Sequence, residues 1–204
     1  KALGFGLENL AVIAGGLSVG IGFGMQTIVN NFLSGLILIF SRTLHEGDVI
    51  DVGNLQGVVR KISVRATTVE TFDNAIIFVP NSEFVSNRLI NWTRNGRIVR
   101  REVAIGVAYG TDPKLVERLL VEVAQSVPQI VRRPQPFVLF MDFADSTLNF
   151  VLRYWSDIGT ATDAASAIRH RIVEVFAEHQ VEIAFPQLDV HVIPQTPSLT
   201  RAEG

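Results

Sequence analysis

The 204-residue chain contains no cysteine. Disulfides and thiolate-held metals are excluded, and a reducing compartment fits. Ligand-type spacing is also missing. His45, His170, His179 and His191 do not pair. His170 and His179 fall on one expected helix, nine positions apart, and cannot face each other as i, i+4 ligands do. Asp142 and Asp145, expected on a loop after a strand, suit solvated turn positions better than a catalytic pair. No nucleophile–base arrangement is visible. An enzyme is not expected, and no cofactor is implied. The chain starts with lysine and has no signal peptide, because its apolar run is too long and lacks a small-residue cleavage site. It therefore reads as a fragment. Charge is the most telling absence. From Asn9 to Ser41 there are 33 residues without Asp, Glu, Lys or Arg.

A bilayer core of ~30 Å needs about 20 apolar residues as a helix. At ~1.5 Å per residue the run would reach ~50 Å if straight. The run is therefore expected to cross a membrane and then bend, or to hold two helices. The polar patch Gln26, Thr27, Asn30 and Asn31, inside MQTIVNN, is the expected bend. HEGD at 45–48 ends the run.

From Asp48 to Pro80 short β-branched runs alternate with GN, SV and FDN, as in a small antiparallel sheet or barrel. PNSEFVSNRLINW suggests a short helix capped by Asn81 or Ser82, then an extended segment. Beyond residue 98 the pattern predicts a strand at VRREVAIGVAYG and a helix capped by Thr111 or Asp112 with Pro113 at its first position. Two strands follow, PFVLFMDF and STLNFVLRYWSD, then a helix at 162–179 and a closing strand at IAF and LDVHV. The order β-α-β-β-α-β is that of a ferredoxin-like α+β domain. The expected divisions are 1–41, 42–98, 99–193 and a tail at 194–204. No internal repeat or low-complexity tract is present.

GGLSVGIGFGMQTIVNNF, residues 15–32, holds five glycines. Each costs about 1 kcal/mol relative to alanine in a helix interior. GIGFG comes near a dinucleotide fingerprint, but the third glycine position falls on Met25 or Thr27 and no βαβ context surrounds it. Gly16, Gly20 and Gly24 fall at i, i+4 and i+8 and share a face. Gly15, Ser18 and Gly22 form a neighbouring smooth face. Small residues at this spacing let membrane helices approach closely. Two smooth flanks call for neighbours on two sides, as in a symmetric ring. Between them Val19 and Phe23 form a ridge. In a ring this ridge would make two apolar collars about one helical turn apart, able to close a pore by dewetting. An ordinary lipid-facing Val and Phe has the same spacing, so both readings stay open.

The net charge of −2 is unevenly spread. Residues 42–101 carry nine Lys/Arg against six Asp/Glu, and residues 102–204 carry eight against thirteen. The basic excess follows the apolar run, at Arg42 and later at Arg94, Arg97, Arg100 and Arg101, which favours a cytoplasmic side there. These arginines suit anionic headgroups or ions. A solvated face accounts for any one of them as well.

SVGIGFGMQTIVNNFLSGLILIF followed by HEGDVI resembles the pore-lining helix of the mechanosensitive channel of small conductance (MscS-like) family. GVVRKISVRATTVETFDNAIIFVPNSEF, INWTR, GVAYGTD and FPQLDVHV then follow in that family's order, including its T-T-x-x-T-x-D and PN-x-x-F elements. The resemblance covers the chain to about residue 193. It implies homoheptamers in a bacterial inner membrane, a pore-lining transmembrane helix, and a cytoplasmic cage of an Sm-like β domain and a ferredoxin-like α+β domain. Membrane tension would open the pore and release ions and small osmolytes on hypo-osmotic shock. Membrane lipids and further copies of the chain would be the partners. Val19 and Phe23 match the family's pore-closing rings, the glycine faces match its packing surfaces, and Gln26 and Asn31 match positions flanking its helix bend.

This chain departs from the pattern in two places. Thr27 stands where the family often has glycine at the bend, and Arg42 is followed by Thr43 rather than proline. The tension-sensing helices that precede the pore helix are absent, and QTPSLTRAEG is not strand-like. Two other readings suit parts of the sequence. Sm-like folds can bind RNA, but the fragment is net acidic and its basic residues are not interleaved with aromatics, so no nucleic acid partner is expected. A non-conducting membrane sensor or scaffold of the same architecture stays open.

Overall fold

The computed structural model describes residues 7–188 and residue 190. The chain divides into two compact units, residues 1–98 and 99–204. The expected tail at 194–204, His191 and most of the closing LDVHV lie outside the described residues.

The first unit begins with α1, Leu7–Ser41, a single helix of 35 residues. The alternative of two helices divided at MQTIVNN is corrected: helical structure runs unbroken through residues 25–31. The patch contains neither proline nor glycine, and Asn31 returns its side-chain amide to the Thr27 carbonyl at 2.9 Å, within its own turn. Five strands follow, with the short helix α2, Asn81–Ser86, before the last: β1 Val49–Val52, β2 Leu55–Ile62, β3 Ala66–Thr71, β4 Ile76–Pro80 and β5 Leu89–Asn91. They form one antiparallel sheet in the order β4-β3-β2-β1-β5. Alternating β-branched residues drive this pairing: Val59 and Val69 face each other across β2 and β3, both fully buried. A register shift between Val59 and Lys61 bends β2. The core gathers Ile50, Val52, Val59, Val69, Val79 and Phe84, and Leu38 of α1 is buried in it. At the bulge Arg60 of β2 bonds Glu70 of β3, and that bond holds the Glu70 carboxyl below the usual carboxylate range and raises Arg60.

The second unit runs β6 Ile98–Val107, α3 Pro113–Ser126, β7 Phe137–Phe143, β8 Leu148–Asp157, one 3-10 turn at Ile158–Thr160, and α4 Ala161–Glu178. Asp112 is the N-cap of α3, accepting from the Lys114 amide at 2.9 Å, with Pro113 at the first helical position. The sheet order is β6-β8-β7. Residue 183 bridges Val107, and the Ala108 and Ala184 amides bond Glu182 and Gly106 across the same edge. The closing segment therefore lies beside β6, giving the ferredoxin-like order. The alternate residues Leu148, Phe150, Leu152 and Tyr154 of β8 are buried with the apolar stripes of α3 and α4. On α4 the expected face of Ile168, Ile172, Val175 and Phe176 is the buried one. Burial pushes the Tyr154 phenol up, and the positive charges of Arg169 and Arg101 oppose that rise. One placement is corrected: Asp142 lies within β7, not on the loop after it, and accepts from Asn149 across the hairpin at 2.8 Å.

Asn81 is fully buried, and its side chain is bonded on both sides. It accepts from the Thr67 hydroxyl at 2.8 Å and donates to the Ser63 and Val64 carbonyls at 2.8 and 3.0 Å. Replacing it leaves a buried hydroxyl and two carbonyls short of partners. Asn81→Ala is expected to cost about 2–4 kcal/mol, seen as a lower unfolding temperature of the purified protein.

Candidate functional site: an apolar helix anchored to a β domain

Along its first two thirds α1 is bare. From Leu10 to Asn30 every residue is exposed, with Val19 at 59% and Phe23 at 73%. The segment Leu10–Ser41 is long and apolar enough to cross a membrane, at a mean hydropathy of 1.6. A methyl group added at Gly15, Gly16, Gly20, Gly22 or Gly24 would meet nothing within 4 Å. Nothing inside the described chain therefore explains why these positions are glycine. Ser18 donates to the Ala14 carbonyl at 2.7 Å, so its hydroxyl proton is spent on its own helix and the face it shares with Gly15 and Gly22 stays smooth.

The last third of the helix is different. Ser34, Gly35 and Leu38 are buried. A Cβ at Gly35 would collide with the Val64 carbonyl oxygen and come within 2.5 Å of Asn81 Nδ2. Glycine is thus required at the point where helix and β domain touch. Four residues earlier Asn31 reaches the same surface, its Oδ1 accepting from the Ser82 backbone amide at 3.0 Å. This corrects the expected capping of α2. Asn81 is its first helical residue, Pro80 holds the N-cap position without a side-chain bond, and the acceptor for the Ser82 amide comes from α1. Beside this joint lies an open crevice of about 570 Å³, lined by Thr27, Ile28, Asn31, Arg65 and Phe78 among others.

The end of α1 is tied by a polar cluster. Arg42 adopts a left-handed conformation, φ 52°, which turns the chain out of the helix. Arg94 Nη1 donates to the Arg42 carbonyl at 2.6 Å and lies 2.9 Å from His45 Nδ1. The Asp48 carboxylate accepts from the His45 amide at 2.8 Å, from Asn91 Nδ2 at 2.7 Å and from the Thr93 hydroxyl at 3.3 Å. Asn91 Oδ1 accepts from the Thr93 and Arg94 amides. HEGD and INWTR are therefore the two halves of one clasp. Of the five arginines singled out in the sequence, the clasp joins Arg42 and Arg94. Arg97 lies in the turn after it, and Arg100 and Arg101 lie on β6.

Residues 27–94 match the family described as "Mechanosensitive ion channel, beta-domain", and residues 102–183 match "Mechanosensitive ion channel MscS, C-terminal". The chain belongs to the MscS-like mechanosensitive channel family. It is 43% identical over 191 residues to an uncharacterized MscS family protein of Haemophilus influenzae, covering 93% of this chain and 17% of that protein. It is 38% identical over 192 residues to the mechanosensitive channel MscK of Escherichia coli, covering 94% of this chain and again 17% of the relative. The crystal structure of Helicobacter pylori MscS in its closed state superimposes with a TM-score of 0.86 at 26% identity, over 95% of this chain and 76% of that one. Arabidopsis thaliana MSL1 shares the fold, at a TM-score of 0.73 and 19% identity.

Within this MscS-like chain the glycine faces and the Val19–Phe23 ridge lie on the bare part of α1, while Asn31 lies at the joint. The sequence reading missed Gly35, Asn81 as an interior tie, and His45. A signal for Gly35 was available: it is the single glycine of FLSGLILIF, in a stretch otherwise rich in bulky residues. Gly35→Ala is expected to loosen the helix from the β domain at a cost of about 1–3 kcal/mol, measured as earlier thermal unfolding and faster proteolysis between residues 41 and 48.

Proposed function

We propose that this chain is the pore-forming and cytoplasmic part of a mechanosensitive ion channel subunit in a bacterial inner membrane, with both folded units in the cytoplasm. The carrying observation is a bare, uncharged helix whose five glycines have no partner among the described residues, joined at its far end to a folded domain. Copies of the same helix, packed smooth face to smooth face in a ring, supply those partners. By family resemblance the ring has seven members. Val19 and Phe23 then face the axis and close it by excluding water, and tension-driven sliding of the smooth faces carries Phe23 away. Ions and small osmolytes pass on hypo-osmotic shock, and membrane lipids surround the ring.

Self-association also has support in the β domain. Strand β4 is a free sheet edge, and Ile76, Phe78 and the nearby Phe72 are half or more exposed. An open edge with large apolar side chains suits burial against another copy.

The test is patch-clamp recording of the full-length parent in a membrane without other mechanosensitive channels. Current steps that rise with suction are expected. An assembled oligomer that stays silent up to patch rupture would favour the non-conducting sensor. Phe23→Ser is expected to wet the collar and make cells leaky, and tight closure in that variant would remove Phe23 from the gate. Gly20→Leu is expected to jam the sliding faces and raise the opening tension.

A further inference from the structure

The clasp at the end of α1 contains a titratable group at its centre. His45 Nδ1 lies 2.9 Å from Arg94 Nη1 and 3.9 Å from Asp48 Oδ2. A guanidinium only donates. The contact with Arg94 therefore requires His45 to be neutral with Nδ1 free of its proton. A proton on Nδ1 removes that acceptor and sets two positive charges side by side. The same proton turns His45 toward Asp48, whose carboxylate is already within ion-pair distance.

We propose that His45 is a proton-operated latch on the cytoplasmic end of the apolar helix. When neutral it holds Arg94, and Arg94 holds the Arg42 carbonyl at the helix terminus. When protonated it withdraws that acceptor from Arg94 and pairs with Asp48, so the tie of the helix end to the segment after β5 is weakened to the Arg94–Arg42 bond and the bonds of Asp48 to Asn91 and Thr93. The charged groups around it are Arg94 from that segment, Glu46 and Asp48 from its own turn, and Arg42 from the end of α1. Behind the turn runs β2, joined to it where the Gly47 amide bonds the Val59 carbonyl at 2.8 Å. Of that strand's charges, Arg60 is committed to Glu70 and Lys61 follows it. His45 is about half exposed, so protons reach it without unfolding. Histidine is the side chain whose charge ordinarily changes between about pH 5 and 8. The latch is thus closed while the ring is neutral and open once it is protonated.

The consequence for gating rests on the channel reading, whereas the latch chemistry does not. Two readouts keep them apart. In the full-length protein in lipid nanodiscs, hydrogen exchange across residues 41–48, corrected for intrinsic rates, is compared at about pH 5 and about pH 8, the two ends of the range in which histidine ordinarily changes charge. Protection is expected to fall about threefold to tenfold at the lower pH, the loss of one ordinary hydrogen bond. His45→Gln keeps an acceptor for Arg94 but cannot titrate, so it should stay protected at both values. Arg94→Gln should show the lower protection at both. Equal protection of the unsubstituted protein at the two pH values, or a pH response that survives in His45→Gln, would overturn the latch. Patch recordings with the cytoplasmic face at the same two pH values are expected to show an opening tension that shifts with pH, and a fixed one in His45→Gln. A pH response in exchange with no current at any tension would leave the latch standing and remove the channel reading instead.

Discussion

A helix suited to lipid has to be joined to a domain suited to water without stranding backbone dipoles at the junction. The joint here is made by one glycine and two asparagines. Gly35 lets α1 meet the Val64 carbonyl, Asn81 pins the 63–64 carbonyls from inside, and Asn31 accepts the Ser82 amide. Each group has a stated partner. A side chain at Gly35 would push the surfaces apart and break the bonds on both sides of it. The exposed upper helix, the burial of Leu38 and the position of the clasp all depend on this contact.

The joint fixes how force can travel. α1 shares its lower third with the β-domain core through Leu38, so displacement of the helix pulls on β1, β2 and β3 directly. The clasp adds a second tie one turn further on, made of polar groups near solvent rather than of packing. Packed contacts between apolar side chains change little with pH or salt. The contacts of a solvent-facing cluster such as His45, Asp48 and Arg94 are weakened by salt. A stiff apolar joint and an adjustable polar one therefore sit in series at the end of the same helix.

Much of the architecture was legible along the chain. The uncharged run, the β-branched strands and the stripes of α3 and α4 carry periodic signals that survive whatever they pack against. The Asp112–Pro113 start of α3 was readable because a cap is a local event. No second helix begins at MQTIVNN, because polar side chains in a helix can satisfy themselves within one turn, as Asn31 does with Thr27. The cap of α2 was misassigned because its acceptor is 51 positions away in the sequence.

The sequence by itself determined the membrane-type helix, the smooth glycine faces with Val19 and Phe23 between them, and the family, since each rests on residue order over short spans. Only the tertiary structure decided why Gly35 and Asn81 are what they are, and that HEGD and INWTR form one clasp. Those facts belong to residues between 14 and 52 positions apart, brought within hydrogen-bonding distance by the pairing of β1 with β5 and by the close approach of α1 to the 63–65 turn. No local periodicity records such contacts.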